Sequence, residues 1–540
     1  MSLLRISRVL VVLSLCSLVP LNGQVASGTI NVTVEDSTGA VVPGASVTAT
    51  NNNTGLARTG NANERGELVV PFLPVGEYSI KVGASGFKTT TLARVPLRVD
   101  QTAAVRVALQ LGEVREVIEI SAAPSLLETD TSSLGQVIEN RRILELPLNG
   151  RNPFALGLLT GNTTPMFGMG SNQPFIAGGG RFSANEILLD GIDNNTTLTG
   201  TAIGRNGIAI TPSVDAVQEF KVKTNAFSAE FGHAAGAVVS ATIKSGSNSY
   251  HGTLFEFLRN DRLDANNFIT NLAGLPKGKF RQNQFGGALG GFIVRDKTFF
   301  FMDYQGTRRR TQAGSSILAV PPQELRSGDL SSLNTPIFDP AARRLSPNGT
   351  VISTLLPGAR IPASRINPAS AATAALLPPP NFGAPGALSR NYFVQRPQRS
   401  NGDQFDIRGD QQISSKNNLF ARFSFSNRVT PSPGSFPGFI GGGSVNVEFS
   451  RQAILSDTHV FSPTVVNEFR FGFTRQNGSS YGTGRLEGVQ FAKEHGVAVF
   501  PFPYQTFPGI SFRYSGQSTG SEQFNGWGGG GSNSLNFENR

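Results

Sequence analysis

The chain is poor in cysteine, tryptophan and histidine. Its 540 residues contain one cysteine, one tryptophan and four histidines. A lone cysteine, Cys16, excludes an intrachain disulfide framework. The histidines, at positions 233, 251, 459 and 495, lack the spacing of a metal site. The sequence also has no nucleophile elbow or nucleotide-binding loop. We therefore predict no metal, no cofactor and no enzymatic activity.

The chain is also poor in charge and in long apolar runs. Charged residues make up 16 % of the sequence, the net charge is +10, and the densest basic block is 308–310. Such a mild and scattered charge gives no support to nucleic-acid binding. No later segment approaches the 18 consecutive apolar residues of a transmembrane helix. A membrane-spanning role would then require a closed β-barrel.

Residues 1–23 have the pattern of an export signal. Arg5 and Arg8 form its positive region, and the apolar run at 9–19 is too short to span a bilayer. Cleavage is expected between Gly23 and Ala26, which would leave a mature chain without cysteine. The sequence therefore predicts a protein that leaves the cytoplasm.

The composition after the leader is typical of a mainly β fold, with 62 glycines and 39 phenylalanines. Residues 27–111 are short strands with turn signals about every 8 to 12 residues, which predicts a small β-sandwich. This zone resembles the carboxypeptidase regulatory-like (CnaB or transthyretin-like) domain at Asp36, Gly39, 43–45, Gly66, 73–78 and 86–87. The resemblance implies a rigid spacer or a binding module, sometimes for starch-like carbohydrate, and no peptidase activity.

Residues 112–246 predict a compact α+β domain with long loops. We expect a short helix at 136–146, a possible helix at 213–219, and strands at 186–193, 219–225 and 235–248. A strand-like segment, Val117–Ile120, precedes this domain and follows the sandwich.

Residues 249–540 carry about seven predicted strands in which aromatic residues alternate with polar ones. Phe423 and Phe425 face away from Arg422, and Phe255 and Phe257 are expected to lie opposite Glu256. Short links, such as 295–297, 413–418 and 462–464, alternate with long connections, such as 261–280, 306–403 and 429–446. This arrangement is typical of an antiparallel transmembrane β-barrel with short periplasmic turns, lipid-facing phenylalanines and a polar lumen. A soluble sandwich with the same phenylalanines in its core is the alternative.

Seven strands cannot close a barrel, and bacterial barrels have even strand numbers. We therefore expect that the sequence is truncated and that much of the barrel is missing from it.

Several stretches resemble TonB-dependent outer-membrane receptors of the Oar-like type: 138–156, 181–195, 214–261 and 284–310. The resemblance implies that 112–246 is a plug inside the barrel, that the N-terminal domains are periplasmic, and that the protein lies in the outer membrane of a Gram-negative-type bacterium. It also implies coupling to a TonB-type inner-membrane complex, which pulls a short β-forming segment by strand addition. Val117, Ile118, Glu119 and Ile120 are the candidate segment; an ordinary linker strand is the alternative.

The plug motifs supply four further candidate site residues, namely Arg181, Asn185, Asp190 and Gly191. Arg181 and Asn185 are either ligand contacts or structural hydrogen-bonding groups, while Asp190 and Gly191 are expected to turn the chain after buried Leu188 and Leu189. The predicted function is import of a scarce or bulky extracellular substrate of the oligosaccharide or siderophore class. The alternatives are a surface-binding or adhesion protein on a plugged barrel and, disfavoured by the plug, a passive porin. Outer-membrane lipid is the other expected partner.

Overall fold

A computed structural model describes residues 27–112, 117–120, 133–166, 175–181, 184–199, 202–232, 234–272, 274–462, 465–496, 510–512, 522–524 and 534–539. The predicted leader lies outside the described residues. Within them no helix has the length and apolar character needed to cross a membrane.

The N-terminal sandwich, as predicted, consists of two β-sheets. Its strands are β1 (Gly28–Asp36), β2 (Ser46–Asn51), β3 (Ala57–Asn61), β4 (Glu67–Leu73), β5 (Gly76–Gly83), β6 (Thr89–Leu97), β7 (Thr102–Leu109) and β8 (Val117–Ile120). One sheet has the order β4-β1-β7 and the other β3-β2-β5-β6-β8. Alternate residues of β1 are buried, and Ile30, Val32 and Val34 join a core in which Tyr78 donates a 2.7 Å hydrogen bond to the Pro74 carbonyl.

The central domain follows at residues 133–247 and is built on a mixed five-stranded sheet of order β13-β12-β17-β16-β9. Its elements are β9 (Leu134–Glu139), α1 (Asn140–Glu145), β10 (Thr163–Pro165), β11 (Phe175–Ala177), β12 (Glu186–Leu189), β13 (Ile192–Asp193), β14 (Asn195–Thr199), β15 (Ala202–Ile208), β16 (Val217–Asn225) and β17 (Val238–Ile243). A 3₁₀ helix spans Pro153–Leu159.

Two helix predictions in this domain need correction. The helix expected at 136–146 begins only at Asn140, because residues 134–139 pair with β16. The helix expected at 213–219 is wrong, because Val217 already starts β16, which pairs with β17 on one side and β9 on the other. Pairing on both edges satisfies the backbone of this buried strand, and only one turn at 213–216 remains before it.

The C-terminal part forms one antiparallel wall sheet in which consecutive long strands are neighbours. Its elements are β18 (His251–Asn260), α2 (Phe268–Leu272), β19 (Phe280–Val294), β20 (Thr298–Leu318), α3 (Gln323–Arg326), β21 (Arg344–Leu345), β22 (Val351–Ile352), α4 (Pro368–Ala375), β23 (Tyr392–Ser414), β24 (Asn417–Ser432), β25 (Ser444–Ser462), β26 (Val465–Gly482), α5 (Arg485–Glu494), β27 (Ile510–Phe512), β28 (Glu522–Phe524) and β29 (Ser534–Asn539). The sheet order is β18-β19-β20-β23-β24-β25-β26-β29, and it is not closed in the described residues.

The wall sheet contains eight strands, one more than the sequence predicted. Its strands are also longer than predicted. β20 continues to Leu318 and β23 begins at Tyr392, so the connection expected at 306–403 shrinks to 319–391. The extra residues pair with each other beyond the aromatic part of the strands. Connections on that side pack around a small core of their own: Val320, Leu377, Tyr392, Phe436 and Ile440.

The two faces of the wall sheet differ as predicted on most strands. The inner face contacts the central domain and buries polar side chains such as Asp303, Arg408 and Arg422, whereas Phe469 and Phe471 are about half exposed on the outer face. β18 is the exception and corrects the prediction for Phe255 and Phe257. Both rings face inward, next to the central domain, and Leu254 and Leu258 are the exposed apolar residues of the outer face.

Candidate functional site

The tight turn between β12 and β13 brings Asp190 to the wall sheet. Asp190 and Gly191 have φ values of 49° and 78°, the left-handed conformation that a two-residue hairpin requires. Leu188 and Leu189, which precede the turn, are fully buried, and this fixes its position. The turn therefore places a carboxylate at the inner face of the wall sheet.

Asp190 lies in a buried ion network with two arginines of the wall. Its Oδ2 is 2.7 Å from Nε of Arg422, its Oδ1 is 3.4 Å from Arg408, and the same Oδ1 accepts a 3.1 Å hydrogen bond from the backbone of Ile243. Asp190 and Arg422 have side chains that are 2 % and 0 % exposed. Because a buried charge is tolerated only when it is paired, these contacts hold the central domain to the wall.

The wall supplies the remaining partners of this network. Arg408 also pairs with Asp410 at 2.8 Å, and Arg422 donates a 2.6 Å hydrogen bond to Gln452. A separate contact joins Ser213 of the central domain to Asp303 of β20 at 2.7 Å. The polar residues that the sequence assigned to a lumen thus bind the central domain.

A second arginine contact was not predicted from the sequence. Arg151, in the turn after Gly150, forms a 2.5 Å ion pair with Asp215 and places its guanidinium 4.5 Å and 4.1 Å from the ring centroids of Phe255 and Phe257. A cation over two aromatic faces explains why these rings point inward. The sequence carries no signal for it, because the partners are distant along the chain.

The other candidate residues of the central domain lie apart from this network. Arg181 is exposed at its surface. Asn185 is buried; its amide donates to the Phe175 carbonyl at 3.0 Å, and its oxygen accepts from the Ala237 backbone at 3.0 Å. Gly191 serves the turn described above.

The candidate coupling segment is a strand of the sandwich. Val117–Ile120 forms β8, which pairs in parallel with Thr89–Leu92 of β6 at the edge of the five-stranded sheet. In the described part of the chain, no strand pairs with the other edge of β8. Backbone groups on that edge are placed to accept a further strand.

Charged groups join the sandwich to the central domain. Arg98 lies 2.8 Å from Glu139 and 3.5 Å from Glu219, which also accepts a hydrogen bond from the Val99 backbone. Burial raises the pKa of Glu219 from 4.5 to about 7, although the Val99 amide and Arg98 act in the opposite direction. The described residues contain no cluster of three or more His, Cys, Asp or Glu that could hold a metal ion.

An antiparallel sheet with an apolar outer face and a buried polar inner face is typical of an outer-membrane β-barrel protein. Residues 242–540 match the outer membrane beta barrel domain family, and the chain belongs to that family. Residues 29–110 match the carboxypeptidase regulatory-like domain, as the sequence predicted. The protein is therefore located in the outer membrane.

Known proteins similar to the chain include transporters and receptors. The TonB-dependent transporter Oar of Myxococcus xanthus is 27 % identical over 287 residues, which is 51 % of this chain and 26 % of that protein. The chain thus spans about a quarter of the length of this relative. The resemblance stated from the sequence is confirmed.

Two solved structures are among those similar to part of the chain. The outer membrane transporter YddB from Escherichia coli has a TM-score of 0.39 and 12 % identity, covering 64 % of this chain and 39 % of that one. The siderophore receptor PirA from Acinetobacter baumannii has a TM-score of 0.32 and 14 % identity, covering 66 % and 46 %. These relatives are transporters and a receptor, not enzymes.

Proposed function

We propose that the chain takes part in TonB-coupled import across the outer membrane. The observation that carries this proposal is the buried network of Asp190 with Arg408 and Arg422, which binds the central domain to the inner face of the wall. A domain held there blocks the lumen, so passage of a substrate requires work on the central domain. A passive pore has no need for such a block.

We propose that the chain consists of a leader at 1–23, the sandwich at 27–111, a plug domain at 112–246 and a barrel from 249 onward. The sandwich and the segment Val117–Ile120 lie on the periplasmic side. The open edge of β8 supports strand addition by a TonB-type partner from the inner membrane. The name of the Myxococcus xanthus relative supports the same coupling.

The substrate is proposed to be scarce or bulky and of the oligosaccharide or siderophore class. The sandwich favours carbohydrate through its resemblance to starch-binding modules, whereas the PirA similarity is to a siderophore receptor. Arg181 is the proposed substrate contact because its side chain is exposed. Asn185, Asp190 and Gly191 are proposed to have structural roles.

The test removes the strand-forming capacity of the coupling segment. Ile118→Pro eliminates a backbone N–H and disfavours pairing, while Ile118→Val keeps a β-forming residue as the matched control. We expect the proline variant to lose energy-dependent accumulation of a labelled maltooligosaccharide or ferric siderophore, with surface binding of the same compound retained. Accumulation equal in both variants would instead favour the adhesion alternative.

A further inference from the structure

Within the described residues, a short segment between β6 and β7 contacts the central domain. Asp100 forms an ion pair with Lys223, and its carbonyl accepts a 3.0 Å hydrogen bond from Nζ of Lys221. Arg98 pairs with Glu139 at 2.8 Å. Arg98 and Asp100 of the sandwich thus meet the β9–β16 edge of the central sheet with complementary charges.

A second sandwich segment contacts the wall. The Asn53 carbonyl accepts a 2.9 Å hydrogen bond from the backbone of Asn248, which leads into β18, and the Thr54 carbonyl accepts one of 3.4 Å from Gln412 near the β23–β24 turn. Arg58 donates to the Ser415 carbonyl in the same turn. The sandwich therefore bridges the central domain and the end of the wall where the short turns lie.

A cavity of about 160 Å³ lies where the three parts meet. Asn51, Thr54 and Pro74 of the sandwich line one side, and Asp190, Arg408 and Phe420 line the other. The docked sandwich thus covers the gap between the central domain and the wall at this end, directly beside the Asp190 network.

The two interfaces differ in chemistry. The hydrophobic core of the sandwich contains sandwich residues alone, whereas the core of the central domain includes Phe301 of the wall and packs against Ala288. Separation of the central domain from the wall would expose shared apolar surface, but departure of the sandwich breaks mainly polar contacts. Such interfaces are typical of domains that move relative to one another.

We propose that the sandwich is a detachable latch that closes this gap and ties the central domain to the wall until it undocks. Because β8 pairs with β6, force applied to Val117–Ile120 acts on the sandwich before it reaches the central domain. The docking contacts described above support the latch itself. The proposal that the sandwich moves first depends in addition on the coupling role proposed for β8.

Charge reversal tests the docking contact. Lys223→Glu places two carboxylates together at Asp100, and Asp100→Lys combined with Lys223→Glu restores opposite charges. Lys81→Glu makes the same charge change on the exposed face of the sandwich and is the matched control. Amide hydrogen exchange of the full chain in detergent is the readout.

We expect Lys223→Glu to raise exchange about tenfold or more at Val99 and Asn248, whose amides donate to Glu219 and to the Asn53 carbonyl across the two interfaces, while β1 and β5 inside the sandwich stay protected. The swapped pair and Lys81→Glu should match the unchanged protein. Unaltered exchange in Lys223→Glu contradicts a charge-held latch, and loss of protection in β1 or β12 contradicts a sandwich that leaves as a folded unit.

A disulfide lock provides an independent test, because a Cβ added at Gly55 would lie 3.7 Å from the Cβ of Asp296. This separation suits a disulfide, so Gly55→Cys with Asp296→Cys, in a Cys16→Ser background, joins the sandwich to the wall. In the Lys223→Glu variant the oxidised lock should reverse the rise in exchange at Val99 and Asn248, and reduction should restore it. If the exchange is the same with the disulfide oxidised and reduced, the latch proposal is wrong.

The control lock joins two residues of one external connection. Gly383→Cys with Ala387→Cys has a Cβ separation of 3.9 Å and a similarly positive φ at the glycine, but it leaves the sandwich free. If the exchange tests fail, the latch proposal is contradicted, but the proposed import function is not. If Ile118→Pro does not reduce accumulation while the exchange tests succeed, the coupling role of Val117–Ile120 is contradicted, but the latch is not.

Discussion

At the scale of single residues, buried charges decide how the central domain is held. Asp190 has two arginine partners, Arg408 and Arg422, which belong to the wall, and one backbone donor, Ile243, which belongs to β17. The pairing of these charges matters more than any single distance, because the side chains of Asp190 and Arg422 are almost fully buried. The network is therefore sensitive to loss of one member.

Asp190→Asn should lower the free energy of unfolding of the central domain by about 3 to 5 kcal/mol, since the buried Arg422 would lose its 2.7 Å carboxylate partner and keep only Asp406 at 3.7 Å. Denaturant unfolding in detergent measures this. The control is Asp264→Asn, which removes an exposed ion pair with Arg259 and should cost less than about 1 kcal/mol. Equal losses in the two variants would show that burial of the network is unimportant.

Glu219 gives the sandwich interface a pH dependence. Burial raises its folded pKa from 4.5 to about 7, so its contribution to stability is complete below pH 4.5 and is lost as the pH rises through 7. The loss should be on the order of 3 kcal/mol.

Glu219→Gln keeps a neutral side chain at every pH and should remove this dependence. The measurement is the difference in unfolding free energy between the unchanged protein and the variant at pH 4.5, 6 and 7.5. We expect the unchanged protein to lose stability relative to the variant across this range. A difference that is constant with pH would mean that folding does not raise the pKa of Glu219.

At the scale of elements, period-two alternation predicted the faces of most wall strands, because buried polar residues such as Asp303, Asp406 and Arg422 each sit between two apolar ones. It failed on β18 for a physical reason. In the run 254–258 both parities are rich in apolar residues, so alternation alone cannot orient the strand, and the contact of Arg151 with Phe255 and Phe257 does so. That contact depends on tertiary structure.

The outer face of β26 provides the test of lipid contact. Phe471→Arg should destabilise the wall in a bilayer by about 2 to 4 kcal/mol if the ring meets hydrocarbon near the midplane. Phe471→Leu keeps the apolar character and is the control. Folding into lipid vesicles, followed by the shift in gel mobility on heating, measures the effect. Efficient insertion of the arginine variant would contradict a lipid-facing role.

At the scale of the whole molecule, the order of sandwich, central domain and wall was readable from composition and spacing. Their mutual contacts were not. The pairs Arg98–Glu139 and Asp100–Lys223 join charged residues that single-sequence patterns assign simply to solvent. The parallel pairing of β8 with β6 was equally hidden, because nothing in Val117–Ile120 states its partner.

The separate cores predict two unfolding events. Calorimetry of the full chain in detergent should show one transition for the sandwich and another for the central domain with the wall, since Phe301 joins the latter two in one core. Deletion of 27–111 should remove only the first transition, because the sandwich contributes polar contacts and no shared core to the rest. If the deletion also abolishes the second transition, the sandwich is an integral part of the folded central domain and cannot act as a detachable unit.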